Sequence, residues 1–218
     1  MMAFTLWDIV RNLLLAGGWT VLLTLVAFVL GGSTGVLVLY ARISPQPWLR
    51  RLARAYIELF QGTPLLMQLF LVFFGLSLAG TDIPAWLAAG LALTAYTSAF
   101  LAEIWRGCVE AVPRGQWEAA ASLAMSRYEQ MRHVILPQAL RLAVAPTIGF
   151  SVQVVKATAV TSIIGFTELT KTGSALANAT FQPFLVFGLV ALGYFVLCYP
   201  LSLLARKLER KLHVARSH

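Results

Sequence analysis

Four long stretches carry no Asp, Glu, Lys or Arg: Asn12 to Ala41, Leu59 to Thr81, Ile83 to Ala102, and Thr172 to Ala205. A bilayer core of about 30 Å requires roughly 20 apolar residues in a helix rising about 1.5 Å per residue. Each stretch reaches that length. Only 12% of the 218 residues are charged, whereas a soluble domain needs about 25% to cover its surface. A soluble fold is therefore excluded, and the chain reads as an all-helical membrane protein.

Five spans are expected, at about 14–40, 58–79, 84–105, 140–165 and 184–205. Lys and Arg collect on the cytoplasmic side of membrane proteins. The first connection carries Arg42, Arg50, Arg51 and Arg54, and the third carries Arg106, Arg114, Arg127, Arg132 and Arg141. The tail adds Arg206, Lys207, Arg210, Lys211 and Arg216, whereas the opposite side has Arg11, Lys171 and, near a span end, Lys156. This asymmetry puts the N-terminus outside and the C-terminus in the cytoplasm. The basic residues lie beside spans rather than on one polar face, so the net charge of +8 indicates no nucleic-acid partner. The start has no convincing small-residue cleavage site and is not read as a cleavable signal.

Local signals refine the spans. Gly80 to Pro84 is expected to be a tight turn, with Pro84 in the first turn of the next helix, where its missing N–H costs nothing. Gly31, Ser33 and Gly35 either allow close helix contact or reflect the ordinary frequency of Gly in membrane helices. The Gly31–Gly35 run lacks the Lys-Ser/Thr ending of a phosphate loop, so no ATP binding by that route is expected. Trp48, Trp86 and Trp105 fall at expected interfaces. Cys108 and Cys198 imply no disulfide framework. His133, His213 and His218 are too scattered for a metal or catalytic cluster, and no nucleophile–base pairing suggests an enzyme.

The segment 107–141 is too long for a plain connection, and long structured loops are usually functional. Two short helices are expected, over Gly115–Leu123 and Arg127–Ile135. Ser126 and Glu129 form a capping-box pattern, and Pro137 is expected to end the second helix. Trp117, Leu123, Met125, Tyr128, Met131, Val134 and Ile135 give the segment an apolar ridge. That ridge either docks into a partner's groove or packs on the membrane domain itself.

These residues resemble a known family. Glu118-Ala119-Ala120, with Ala124 and Ile135-Leu136-Pro137 following, resembles the EAA loop of binding-protein-dependent ABC importers. Tyr56 to Leu66, Ala102 to Gly107, Ala111 to Gln116, Val134 to Ala139, Lys156 to Gly165 and Glu168-Leu169-Thr170 are similar to the polar amino-acid permease branch. The resemblance covers about Gly17 to Leu212. It implies a type I importer permease in a bacterial inner membrane, moving a polar amino acid or a relative such as an opine. It also implies a cytoplasmic ATP-binding-cassette ATPase dimer, which binds ATP and Mg, a second permease subunit (identical or homologous) and an extracytoplasmic binding protein. The chain itself binds no cofactor or metal and is not an enzyme. Glu118, Ala119, Ala120, Ala124, Ile135, Leu136 and Pro137 are the expected ATPase-coupling residues.

Three positions depart from the family pattern: Ala124 where Gly is usual, Ala157 where Asp is frequent, and Gly149 where Asn is common. If the bend at Ala124 needs a positive φ, Ala costs roughly 1 kcal/mol relative to Gly. Lys156 is an ionisable group at membrane depth and so a candidate for the substrate path. It either meets a substrate carboxylate, snorkels outward or bridges to Glu168. Gln153, Thr158 and Thr161 lie near it in sequence. Glu58 and Glu103, at cytoplasmic span ends, either meet a cationic substrate or form ion pairs with Arg54 or Arg106. A secondary transporter or channel without an ATPase is the alternative, but no convincing internal repeat supports it.

Overall fold

The computed structural model describes residues 5–214 and is built of helices. Helix α1 spans Leu6–Ile43, α2 Pro47–Gly62, α3 Leu65–Leu78 and α4 Ala85–Glu110. Helices α5 (Arg114–Ser122) and α6 (Arg127–Glu129) lead through a π-helical stretch, Gln130–Ile135, into α7 (Leu136–Ala157). A 3₁₀ stretch, Thr158–Ile164, then precedes α8 (Leu169–Thr180) and α9 (Pro183–Val214). Among the described residues four helical runs are long and apolar enough to cross a bilayer: Leu6–Ile43, Ala85–Glu110, Arg127–Ile164 and Pro183–Lys211.

The expected second span, 58–79, is not one straight helix. Helices α2 and α3 meet at 102° and make a fifth crossing only as a bent pair. Pro64 disfavours the helical conformation of its predecessor, and Thr63 accordingly lies in the extended region at φ −116°, ψ 145°. Gln68 holds the bend, its Nε2 donating to Phe60 O at 2.8 Å, Thr63 O at 3.0 Å and Thr63 Oγ1 at 3.0 Å. The first two of these bonds occupy carbonyls at the break in the helix. Helix α2 is amphipathic, burying Ala53 and Ile57 and exposing Arg50, Arg51 and Arg54. Such a helix suits a membrane surface rather than a crossing.

Helix α4 is the centre of the packing. Ala88, Ala89, Ala92, Ala99 and Ala102 are all buried on it, and small side chains let neighbouring backbones approach closely. Against it α1 presents Gly31 and Gly35: a Cβ on Gly31 would lie 2.7 Å from Thr97 Cβ, and one on Gly35 would lie 3.1 Å from Ser98 O. The close-contact reading holds for these two glycines. Ser33 is exposed, its hydroxyl returned to Val29 O at 2.8 Å. Phe100 and Phe150 stack at a centroid separation of 5.5 Å and join α4 to α7.

Two further features differ from expectation. Pro137 does not end a helix, because Leu136 before it stays right-handed helical (φ −61°, ψ −42°) and the run continues from Arg127 to Ile164. The π-helical turn in front of α7 changes the hydrogen-bond register there, and Pro137 falls in the first turn of α7, where an absent N–H breaks no bond. The connection before the last span also contains a helix, α8, of 12 residues. At about 1.5 Å per residue it is too short to cross. It is inserted against α1, with Leu169 N donating to Thr20 Oγ1 at 3.2 Å. The sequence signal for it is the excess length of the uncharged stretch from Thr172 to Ala205.

Candidate functional site

The segment after α4 forms a helical hairpin. Pro113 precedes α5, and α5 ends in a left-handed cap. Ala124 N donates to Ala121 O at 3.0 Å and Met125 N to Ala120 O at 3.4 Å, the paired bonds of a Schellman motif. Ala124 itself has φ +55°, so the bend does need the left-handed conformation that Gly adopts without strain. Ser126 then caps the next turn. Glu129 Oε2 accepts from Ser126 N at 2.8 Å and from Ser126 Oγ at 2.7 Å, completing the expected capping box. These bonds hold the Glu129 carboxyl below its ordinary range. Gln138 Nε2 donates to Gln116 Oε1 at 3.1 Å and ties α7 back to α5.

Left-handed geometry costs an L-residue about 1–2 kcal/mol. Ala124→Gly should therefore stabilise the hairpin by about 1 kcal/mol and slow exchange of the Ala124 and Met125 amides about fivefold. Exchange that stays the same or quickens would show that this turn is not a limiting element of the hairpin.

The apolar ridge splits in two. Ile135 is fully buried with Val109, Val112 and Ala139, and Trp117, Met131 and Val134 pack on the same cluster. For these residues the second of the two readings holds: they pack on the chain itself, against Val109 at the end of α4, Val112 and Ala139 at the start of α7. Leu123 and Tyr128 remain outside, at 76% and 67% exposure. The expected coupling residues divide the same way. Glu118, Ala119, Ala124 and Pro137 are exposed, Leu136 is half-buried, and Ala120 and Ile135 are buried.

Between α7 and α9 lies an open groove of about 630 Å³. Gln153 and Lys156 line it from α7, facing Tyr194, Tyr199, Ser202 and Arg206 on α9. Lys156 does not bridge to Glu168. That carboxylate is fully buried, accepting from Lys171 N at 2.8 Å and from Tyr194 Oη at 2.7 Å. Thr158 and Thr161 do not line the groove; their hydroxyls donate to Val155 O and Thr158 O, both at 2.7 Å. Gly149 lines the groove, and a Cβ there would meet nothing within 4 Å. Ala157 instead packs against the main apolar cluster.

Glu103 pairs with Arg106, whose Nε donates to Glu103 Oε1 at 2.9 Å, and Arg106 also pairs with Glu110. Glu58 is exposed and, among the described residues, makes no ion pair, so the expected bridge to Arg54 or Arg106 is not formed. Trp48 and Trp86 are exposed, but Trp105 turns inward and donates from Nε1 to Thr147 Oγ1 at 2.9 Å. His218 and Arg216 lie outside the described residues.

Several crossings, a structured hairpin at the arginine-rich end and a groove between two crossings that mixes apolar side chains with Gln153, Lys156, Arg206 and Glu209 define a membrane-embedded permease. The chain belongs to the family of binding-protein-dependent transport system inner membrane components, whose model matches residues 27–214. It is 35% identical over 193 residues to the probable glutamine ABC transporter permease protein GlnM of Bacillus subtilis, covering 88% of this chain and 89% of that protein. It is 30% identical over 211 residues to the glutamine transport system permease protein GlnP of Escherichia coli (strain K12), covering 96% of each. Among solved structures, one of an amino acid ABC transporter with histidines superposes with a TM-score of 0.90 at 33% identity, covering 96% of this chain and 100% of that one. The inward-facing MetNI methionine ABC transporter has the same fold, with a TM-score of 0.71 at 24% identity and coverage of 94% and 96%. The chain is thus a transmembrane, non-catalytic subunit of an ABC transporter.

Proposed function

We propose that this permease imports a polar amino acid or a close relative, opine-like compounds included, across a bacterial inner membrane. An extracytoplasmic binding protein delivers the substrate, and a cytoplasmic ATP-binding-cassette ATPase dimer, which binds ATP and Mg, drives transport. A second permease subunit, identical or homologous, completes the pathway. The observation that carries this reading is the hairpin. Its exposed face, with Glu118, Ala119, Leu123 and Ala124, is carried on a hairpin anchored through buried Ile135 to Val109 at the end of α4 and Ala139 at the start of α7. A push on that face reaches both crossings as a rigid body, as a switch between two packings requires. The Lys156 ammonium and Gln153 in the groove supply donors for a carboxylate. Glu58 and Glu103 lie outside the groove lining, and Glu103 is engaged by Arg106.

The test is ATP hydrolysis by the reconstituted complex with amino-acid-loaded binding protein. Glu118→Lys reverses the charge of the exposed face and should reduce stimulated hydrolysis by at least about tenfold, the scale of a broken interfacial charge pair. Transport that needs no ATPase and ignores Glu118 would replace this reading with a secondary transporter.

A further inference from the structure

We propose that α2 lies in the leaflet at the arginine-rich end and selects anionic phospholipid, with Trp48, Leu52 and Leu59 in hydrocarbon and Arg50 and Arg51 on the phosphates. The helix carries three faces rather than two. Ala53 and Ile57 are buried, and Ile57 packs with Leu39 of α1 and Ala102 of α4. That contact sets α2 against two crossings near their arginine-rich ends. Trp48, Leu52 and Leu59 are 62%, 64% and 58% exposed. At about 100° per residue these three fall within about 40° of one another, and roughly 100° or more from Ala53 and Ile57. Arg50, Arg51 and Arg54 are exposed on the third side, centred about 130° from the apolar stripe.

The direction of the helix agrees with this division. Because α2 meets α3 at 102°, it runs along the bilayer where α3 runs across it. Protein then covers one face, hydrocarbon the second and headgroups the third, as for a helix seated at the acyl boundary. Charge selects the lipid. Glu58 shares the basic face and leaves it net positive. Arg54 lies within electrostatic range of Glu103, whereas among the described residues Arg50 and Arg51 form no ion pair. Guanidinium geometry suits phosphate, and an anionic lipid brings no cation of its own. A second copy of the chain would bring arginines of the same sign to this face. A soluble partner docking on the arginines would leave the apolar stripe uncovered, because the two lie on different sides of the helix. The seat also reaches α4: Tyr56 Oη meets Ser98 Oγ at 2.7 Å, and Gln61 Nε2 donates to Ala99 O at 3.3 Å. Lipid composition therefore bears on the helix against which the hairpin rests.

Trp48 is the reporter. The full-length chain and its Trp48→Phe variant are placed in phosphatidylcholine nanodiscs. A fixed minor fraction of the lipid is brominated-chain phosphatidylglycerol or brominated-chain phosphatidylcholine. Quenching that is lost in Trp48→Phe belongs to Trp48. Phosphatidylglycerol should be enriched at Trp48 about fivefold over phosphatidylcholine, the scale of one basic side chain at an anionic surface, and high salt should reduce that enrichment. Arg50→Gln with Arg51→Gln should remove the preference while quenching persists. Arg50→Lys with Arg51→Lys should keep the preference, which separates lost charge from lost fold. Equal quenching by the two lipids in the parent, or a preference that survives the Gln pair, would overturn the selection of anionic lipid by these arginines. Quenching of Trp48 by neither lipid would overturn the seat in the leaflet and leave a soluble partner as the cover of α2.

Discussion

Gly31→Val is expected to destabilise the folded chain by about 3 kcal/mol or more, the upper range for overpacking. Even the Cβ of alanine at this site would lie 2.7 Å from Thr97 Cβ and 3.2 Å from the Thr94 carbonyl oxygen. Neither atom can swing away, because one is fixed to the α4 backbone and the other is part of it. Helices α1 and α4 would have to separate, and separation forfeits close packing over the alanine face of α4, where packing is a main source of helix association in lipid. Gly18→Ala is the internal control, since a Cβ there meets nothing within 4 Å. Thermal unfolding of both purified variants in detergent, beside the parent, makes the comparison. A Gly31 variant that melts with the Gly18 variant would mean that α1 and α4 are not locked at this crossing.

Glu168→Ala should cost about 3 kcal/mol, combining a lost helix cap with a buried polar group left short of a partner. Glu168 is fully buried at the N-cap of α8, where one oxygen accepts from Lys171 N and the other from Tyr194 Oη. Tyr194 Oη also meets Thr170 Oγ1 at 2.9 Å. The carboxyl thus fastens the inserted helix α8 to α9 from within. Glu168→Gln keeps the shape and an acceptor for Lys171 N. Its amide can donate to Tyr194 Oη while the tyrosine donates to Thr170, so its cost should stay near about 1 kcal/mol. The two variants are ranked by chemical or thermal unfolding in detergent. Equal losses for Ala and Gln would assign the effect to charge rather than to capping and shape. Because Tyr194 also lines the groove, the Ala variant should disturb transport as well as stability.

Part of the site is legible in the amino-acid sequence. Hydropathy and the placement of Lys and Arg are local quantities, so crossings and connections can be read residue by residue. The hairpin is equally open to reading, because Ser126 and Glu129 form a cap by sequence proximity alone, and the motif around Glu118 is contiguous. The positive φ at Ala124 is signalled by a departure within that motif. The orientations of Ser33 and Trp105 are not legible in this way, since composition does not say which helix lies beside a given face.

The membrane class, the order of the crossings, the position of the hairpin and the family all follow from the chain read residue by residue. Each rests on signals that neighbouring residues carry together. The 102° bend of α2 against α3 has a local cause in Pro64, whereas packing in three dimensions sets the insertion of α8 against Thr20 and the passage of the helix through Pro137. Packing also sets which half of the apolar ridge stays exposed and which residues share the groove with Lys156. The physical reason is common to these packing outcomes. An uncapped helix or an apolar face is satisfied by whichever group the fold brings near, and Thr20 and Val109 reach those places through packing rather than through adjacency in the chain.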